Sequence, residues 1–117
     1  MPEKARIFLA EDHDLVRKQE KALLTELGHT VEIEATSLEE ALTYVKLAKE
    51  KRVNVAVLDG CLSKGVWKAD CETIAAALRK EIPDIKIITC SFVKQTCGDA
   101  NLLKEDLEKL GDVVEAL

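Results

Sequence analysis

Val53-Asn54-Val55-Ala56-Val57-Leu58-Asp59 is a nearly continuous apolar run that ends on an acid, and it decides the fold class. Apolar residues stand at both odd and even positions, so both faces of the strand must be covered. That is the condition of a central strand in a parallel sheet packed between helices, because a half-solvated antiparallel strand would alternate instead. Outward from this run, short apolar segments alternate with helical patterns in both directions. Arg6-Ile-Phe-Leu-Ala10 reads as a second buried strand, and Thr30 to Glu34 alternates as a strand should. Ile85 to Cys90 is a fourth strand and Ala100-Asn-Leu-Leu103 a brief fifth.

Between the strands, Leu15 to Leu27 reads as a helix with Leu15, Leu23 and Leu27 on its apolar face and Gly28 as its stop. Ser37 opens a capping box with Glu40, after which Leu38, Ala41, Leu42 and Val45 carry the 3.6-residue period. A third helix spans about Asp70 to Ile82, with Ile74, Leu78 and Ile82 before Pro83. Leu107, Leu110, Val114 and Leu117 mark a last one. Strands that alternate with helices imply right-handed crossovers and a doubly wound α/β fold.

At 117 residues the chain has the size of a single domain, 1–117, with no linker or repeat dividing it. A net charge of −5 and no standing basic run argue against nucleic-acid partners. Nothing approaches the ~18–20 apolar residues of a membrane span, and no signal peptide is evident, so a cytoplasmic location is expected. Cys61, Cys71, Cys90 and Cys97 show neither a CxxC pair nor zinc spacing and are expected as free thiols, with a redox pairing of Cys90 and Cys97 left open.

In a doubly wound sheet, sites form at the carboxyl ends of the strands. There the first strand is followed by Glu11-Asp12 and the third by Asp59. Single acids in such places serve as helix caps. Three on one sheet edge repel one another unless a cation sits among them, and oxygen ligands suit a hard divalent ion, Mg2+ above all. His13 is expected as an exposed residue at a helix start rather than a ligand. The fourth strand ends in Thr89-Cys-Ser91 and the fifth is followed by Lys104. A hydroxyl and an ammonium beside a metal and a carboxylate suit a phosphoryl group.

These blocks, RIFLAEDHDLVRK, VNVAVLDGCLSKG, IPDIKIITCSF and GDANLLKEDLEKL, resemble in order the response-regulator receiver family over essentially the whole chain. The resemblance implies a flavodoxin-like five-stranded sheet of order 2-1-3-4-5. It implies Asp59 as phosphoacceptor, with Mg2+ held by Asp12 directly, Glu11 through water, Asp59 and the backbone carbonyl of Cys61. It makes Ser91 the switch hydroxyl, with Thr89 as the alternative, and Lys104 the partner of the phosphoryl group. The implied function is a phosphorelay switch fed by a sensor histidine kinase or phosphotransfer protein and read by an output partner. Such a domain assists its own phosphorylation without being an enzyme, and a monomer is expected. The alternative is a degenerate receiver that binds proteins without phosphorylation. A flavin or nucleotide binder is disfavoured because Glu11-Asp-His-Asp14 stands where a phosphate-cradling loop would be. A phosphatase of the nucleophilic-Asp type is disfavoured because Asp59-Gly-Cys61 lacks a second acid.

Twelve residues separate Ser91 from Lys104, fewer than the family usually has. The family's fourth helix, which ordinarily lies between these strands, is therefore expected to be reduced or absent. Glu105 stands where the family has Pro, Asn101 where an aromatic switch residue often sits, and Phe92 where a small residue is usual. Trp67 is expected to pack over the Asp59 loop.

Overall fold

A computed structural model of the chain describes residues 4–58, 69–91 and 98–116, with the backbone only for 69–71, 91 and 104. Five strands form one parallel sheet in the order β2-β1-β3-β4-β5: β1 Arg6–Ala10, β2 Thr30–Ala35, β3 Val55–Leu58, β4 Lys86–Ser91 and β5 Ala100–Leu103. The helices are α1 Asp14–Glu26, α2 Leu38–Thr43, α3 Val45–Glu50, α4 Ala69–Glu81, a 3-10 segment Lys104–Lys109 and α5 Leu110–Ala116. Every expected strand is present, and the doubly wound order is the one expected.

The pleat divides the core in two. Ile7, Leu9, Val55, Val57, Ile88 and Cys90 face Leu24 of α1 and Leu110 and Val114 of α5. Phe8, Ala10, Ala56, Leu58 and Ile87 face Ala41, Val45, Ala48, Ile74 and Leu78 of the helices on the other side. The run that decided the fold is buried throughout β3. Each large side chain so covered contributes roughly 1.5–3 kcal/mol. On β2 the register slips between Ile7↔Val31 and Phe8↔Ile33, leaving Glu32 as an extra residue. The slip sends Val31 to the α1 layer and Ile33 and Ala35 to the opposite one, which strict alternation would not allow.

Helix ends follow their local chemistry. Gly28 takes φ 90 after α1, so that Gly28 N–H reaches the Thr25 carbonyl and His29 N–H that of Leu24, a Schellman stop. Arg52 takes the same left-handed place after α3, at φ 58. Ser37 Oγ caps the Glu40 amide at 3.1 Å, while the Glu40 carboxylate reaches one residue beyond the usual box, to the Thr36 N–H at 2.7 Å and the Thr36 hydroxyl at 3.0 Å.

Three expectations need correction. The apolar face read onto α1 does not face the core: Leu15 is 68% exposed and Leu27 41%, whereas Glu20 and Leu24 are the buried positions. The crossover from β1 to β2 sets which face of α1 meets the sheet, and a carboxylate takes part of that face. The helix opened by Ser37 is two short ones that meet at Tyr44, where ψ is 0. There the β-branched pair Thr43 and Val45 flanks the break, and the Thr43 hydroxyl bonds back to the Glu39 carbonyl. Leu107 belongs to the 3-10 segment rather than to the last helix, and Leu117 lies outside the described residues. Among the described residues no helix is long and apolar enough to cross a membrane.

Ser91 ends β4 and Ala100 begins β5, so the whole crossover between these neighbours is residues 92–99. The expectation that the family's fourth helix is reduced falls on 92–97, which lie outside the described residues.

Candidate functional site

Ala35, Ala10, Leu58, Thr89 and Asn101 stand in one row across all five strands. Beyond that row, at the carboxyl edge, the chain continues with Glu11-Asp12 after β1, Asp59 after β3, Cys90-Ser91 on β4, and Leu102-Leu103 on β5 followed by Lys104. Among the described residues, Glu11 therefore stands one residue beyond the row after β1, Ser91 two beyond it at the end of β4 and Lys104 three beyond it after β5. Ser91 is the register partner of Leu103, and Lys104 follows it as the first residue of the 3-10 segment.

Glu11 is only 1% exposed. Its amide donates to the Ala35 carbonyl at 3.0 Å, and its carboxylate accepts the His13 N–H at 3.2 Å. Asp12, one residue on, is exposed. Arg17 braces the turn that carries them: its guanidinium donates to the Glu11 carbonyl at 3.1 Å and to Asp14 at 2.7 Å, and lies 3.5 Å from Glu34. Nothing in the spacing of the sequence pointed to that role for Arg17. His13 is exposed and caps α1, its Nδ1 accepting the Val16 N–H at 3.4 Å.

Asp59, Cys61 and Trp67 lie outside the described residues, as do the side chains of Ser91 and Lys104. Among the described residues no three His, Cys, Asp or Glu side chains are gathered to hold a metal. The two acids that are described, Glu11 buried and Asp12 exposed at the end of β1, form an all-oxygen donor pair that fits a hard cation such as Mg2+.

The two candidate hydroxyls differ in place. Thr89 is fully buried, and its hydroxyl donates to Asn101 Oδ1 at 2.7 Å, inside the row rather than beyond it. Ser91 is two residues nearer the edge. Cys90 between them is buried and faces the α1 layer, and Cys97, its suggested redox partner, lies outside the described residues.

No protein-family model and no curated protein sequence matches the chain. Solved structures do. The chain is similar to the signal receiver domain of NarL from Mycobacterium tuberculosis, with a TM-score of 0.75 and 25% identity over 98% of this chain and 96% of that one. It is also similar to the response regulator PhyR from Brucella abortus, with a TM-score of 0.72 and 21% identity over 98% of this chain and 48% of the other. A third likeness is to the signal receiver domain of a modulated diguanylate cyclase from Desulfovibrio desulfuricans G20, with a TM-score of 0.63 and 19% identity over 97% and 77% of the two chains.

Proposed function

We propose that this chain, a receiver domain of the response-regulator kind in its fold and strand order, accepts a phosphoryl group on Asp59. The observation that carries the reading is the common edge. A buried Glu11 and an exposed Asp12 leave β1 in the row where β3 leads to Asp59, while β4 ends on Ser91 and β5 leads to Lys104. Glu11 and Asp12, with Asp59 and the Cys61 carbonyl, would hold Mg2+, whose charge offsets that of the oxygens being transferred.

The donor would be a phosphohistidine of a sensor kinase or phosphotransfer protein. The Asp59 carboxylate attacks phosphorus, the P–N bond breaks, and the imidazole leaves with its electron pair. The product is an acyl phosphate. The Lys104 ammonium would pair with its oxygens and the Ser91 hydroxyl would donate to one of them, in keeping with charge stabilisation by positioned groups. Restraining Ser91 biases the start of the β4–β5 crossover, and with it partner binding. On this reading the domain is a cytoplasmic signalling switch that assists its own phosphorylation, and it acts as a monomer.

Incubation with acetyl phosphate or phosphoramidate and Mg2+ should add one phosphoryl mass by intact mass spectrometry. Asp59→Asn should abolish the addition and Asp12→Asn should weaken it sharply. Labelling that persists in Asp59→Asn would sink the assignment. A wild-type chain that takes up no phosphoryl group under any of these conditions would instead favour a degenerate receiver that binds partners without phosphorylation.

A further inference from the structure

β5 is a four-residue edge strand, none of it fully buried, with pairing on one side only. Its apolar residues constrain register weakly. Ala100 and Leu102 pack toward the α1 layer, but a slip of two residues would preserve that alternation and carry Lys104 about 6–7 Å along the sheet edge. A crossover confined to residues 92–99 is joined to β5 at its far end by Gly98 and Asp99, and it is there that the register is held.

Asp99 grips one residue of β4 at two points. Its backbone N–H donates to the Ile87 carbonyl at 2.7 Å, and its carboxylate accepts the Ile87 N–H at 2.7 Å. Arg79 of α4 lies 3.6 Å from the same carboxylate. Two residues on, Asn101 Oδ1 accepts both the Thr89 hydroxyl at 2.7 Å and the Gly98 N–H at 3.1 Å, while Asn101 Nδ2 donates to the Gly98 carbonyl at 3.2 Å. Gly98 is needed for that closeness, since a Cβ there would stand 2.8 Å from the Ala100 carbonyl oxygen and 3.0 Å from that of Ile87. Asp and Asn are poor strand residues, and here they supply directional bonds that apolar side chains could not. The steps match: Asp99 to Ile87, Asn101 to Thr89, and Leu103 to Ser91.

We propose that Asp99 and Asn101 are positioning residues that clasp β5 to β4 and so set Lys104 beside Ser91 for the phosphoryl group. This proposal rests on the reading of that edge as a phosphoryl site. The clasp acts on the hydroxyl–ammonium side and leaves the Glu11–Asp12 side alone, so its loss should separate two affinities that a general loss of stability would lower together.

The test uses Mg2+ alone, and then beryllofluoride at saturating Mg2+, titrated into the full chain by calorimetry. Asn101→Ala and Asp99→Ala should each bind Mg2+ as wild type does. Each should weaken beryllofluoride binding by about tenfold, the effect of losing a hydrogen bond or two. Asp99→Asn retains an acceptor for the Ile87 N–H and should recover most of that loss. If Asn101→Ala does not fold, the Asp99→Ala and Asp99→Asn pair makes the same comparison. Wild-type beryllofluoride affinity in the alanine variants would overturn the proposal, as would a proportionate loss of both affinities. A wild-type chain that binds Mg2+ but no beryllofluoride would overturn the phosphoryl reading itself, and the proposal with it.

Discussion

His29, at the start of the turn into β2, is 4% exposed, and its Nδ1 accepts the Ala5 N–H at 2.8 Å. Ala5 is itself buried, so replacing His29 with Leu would strand that amide without an acceptor while leaving the volume nearly filled. An orphaned buried donor costs about 1–3 kcal/mol, and a central value near 2 kcal/mol is reasonable here. A chain of 117 residues carries an unfolding entropy of about 0.25 kcal/mol/K, so Tm should fall by about 8 °C. On its other side His29 Nε2 lies 3.1 Å from Glu115 Oε1, without the geometry of a hydrogen bond. Glu115 is part-exposed and also 3.3 Å from Lys4, so Glu115→Gln should cost under about 0.5 kcal/mol. Calorimetric melting of both variants at neutral pH separates the two contacts. A His29→Leu variant that melts within about 2 °C of wild type would refute the cost assigned to the Ala5 amide. Equal losses in the two variants would transfer it to the ion pair.

Arg52 holds a left-handed conformation that costs a non-glycine residue about 1–2 kcal/mol, so Arg52→Gly should raise the urea midpoint, with a gain near 1 kcal/mol after the glycine's extra unfolded-state freedom. The Thr36 backbone N–H, and then its hydroxyl, hold the Glu40 carboxyl below its ordinary value of 4.5. Its stabilisation is therefore complete above the unfolded value and lost as pH falls through the lower folded one. Urea midpoints measured from pH 5 downward should fall less steeply in Glu40→Gln than in wild type. Ser91→Ala should slow phosphoryl uptake from acetyl phosphate and leave melting almost unchanged. Thr89→Val should lose about 1 kcal/mol of stability with its bond to Asn101 and weaken beryllofluoride binding as Asn101→Ala does, while still being labelled. A Thr89→Val chain that folds but cannot be labelled would move the switch hydroxyl to Thr89.

The strands and their order in the chain were legible because a doubly covered strand must be apolar at consecutive positions, as Val55–Leu58 is. Gly28 and Ser37 were legible for a related reason: helix ends are set by bonds that span only a few residues. The acids after β1 and β3 could be picked out too, since the sheet rule says where strand ends gather. What escaped was whatever depends on residues far apart in the chain. Periodicity shows that α1 has leucines, but it does not say which side the crossover turns inward, and the sheet took Glu20 and Leu24 instead of Leu15. His29 gained its acceptor role from an amide 24 positions away. Asp99, and Asn101 within the expected fifth strand, showed no sign of their bonds to β4 until that strand was laid beside them, 12 positions distant along the chain. Composition and spacing determined the elements and the chemistry available at their ends. Tertiary structure alone decided which faces and hydrogen-bonding groups meet, because that choice is made by the packing of the whole chain and not by its neighbours in sequence.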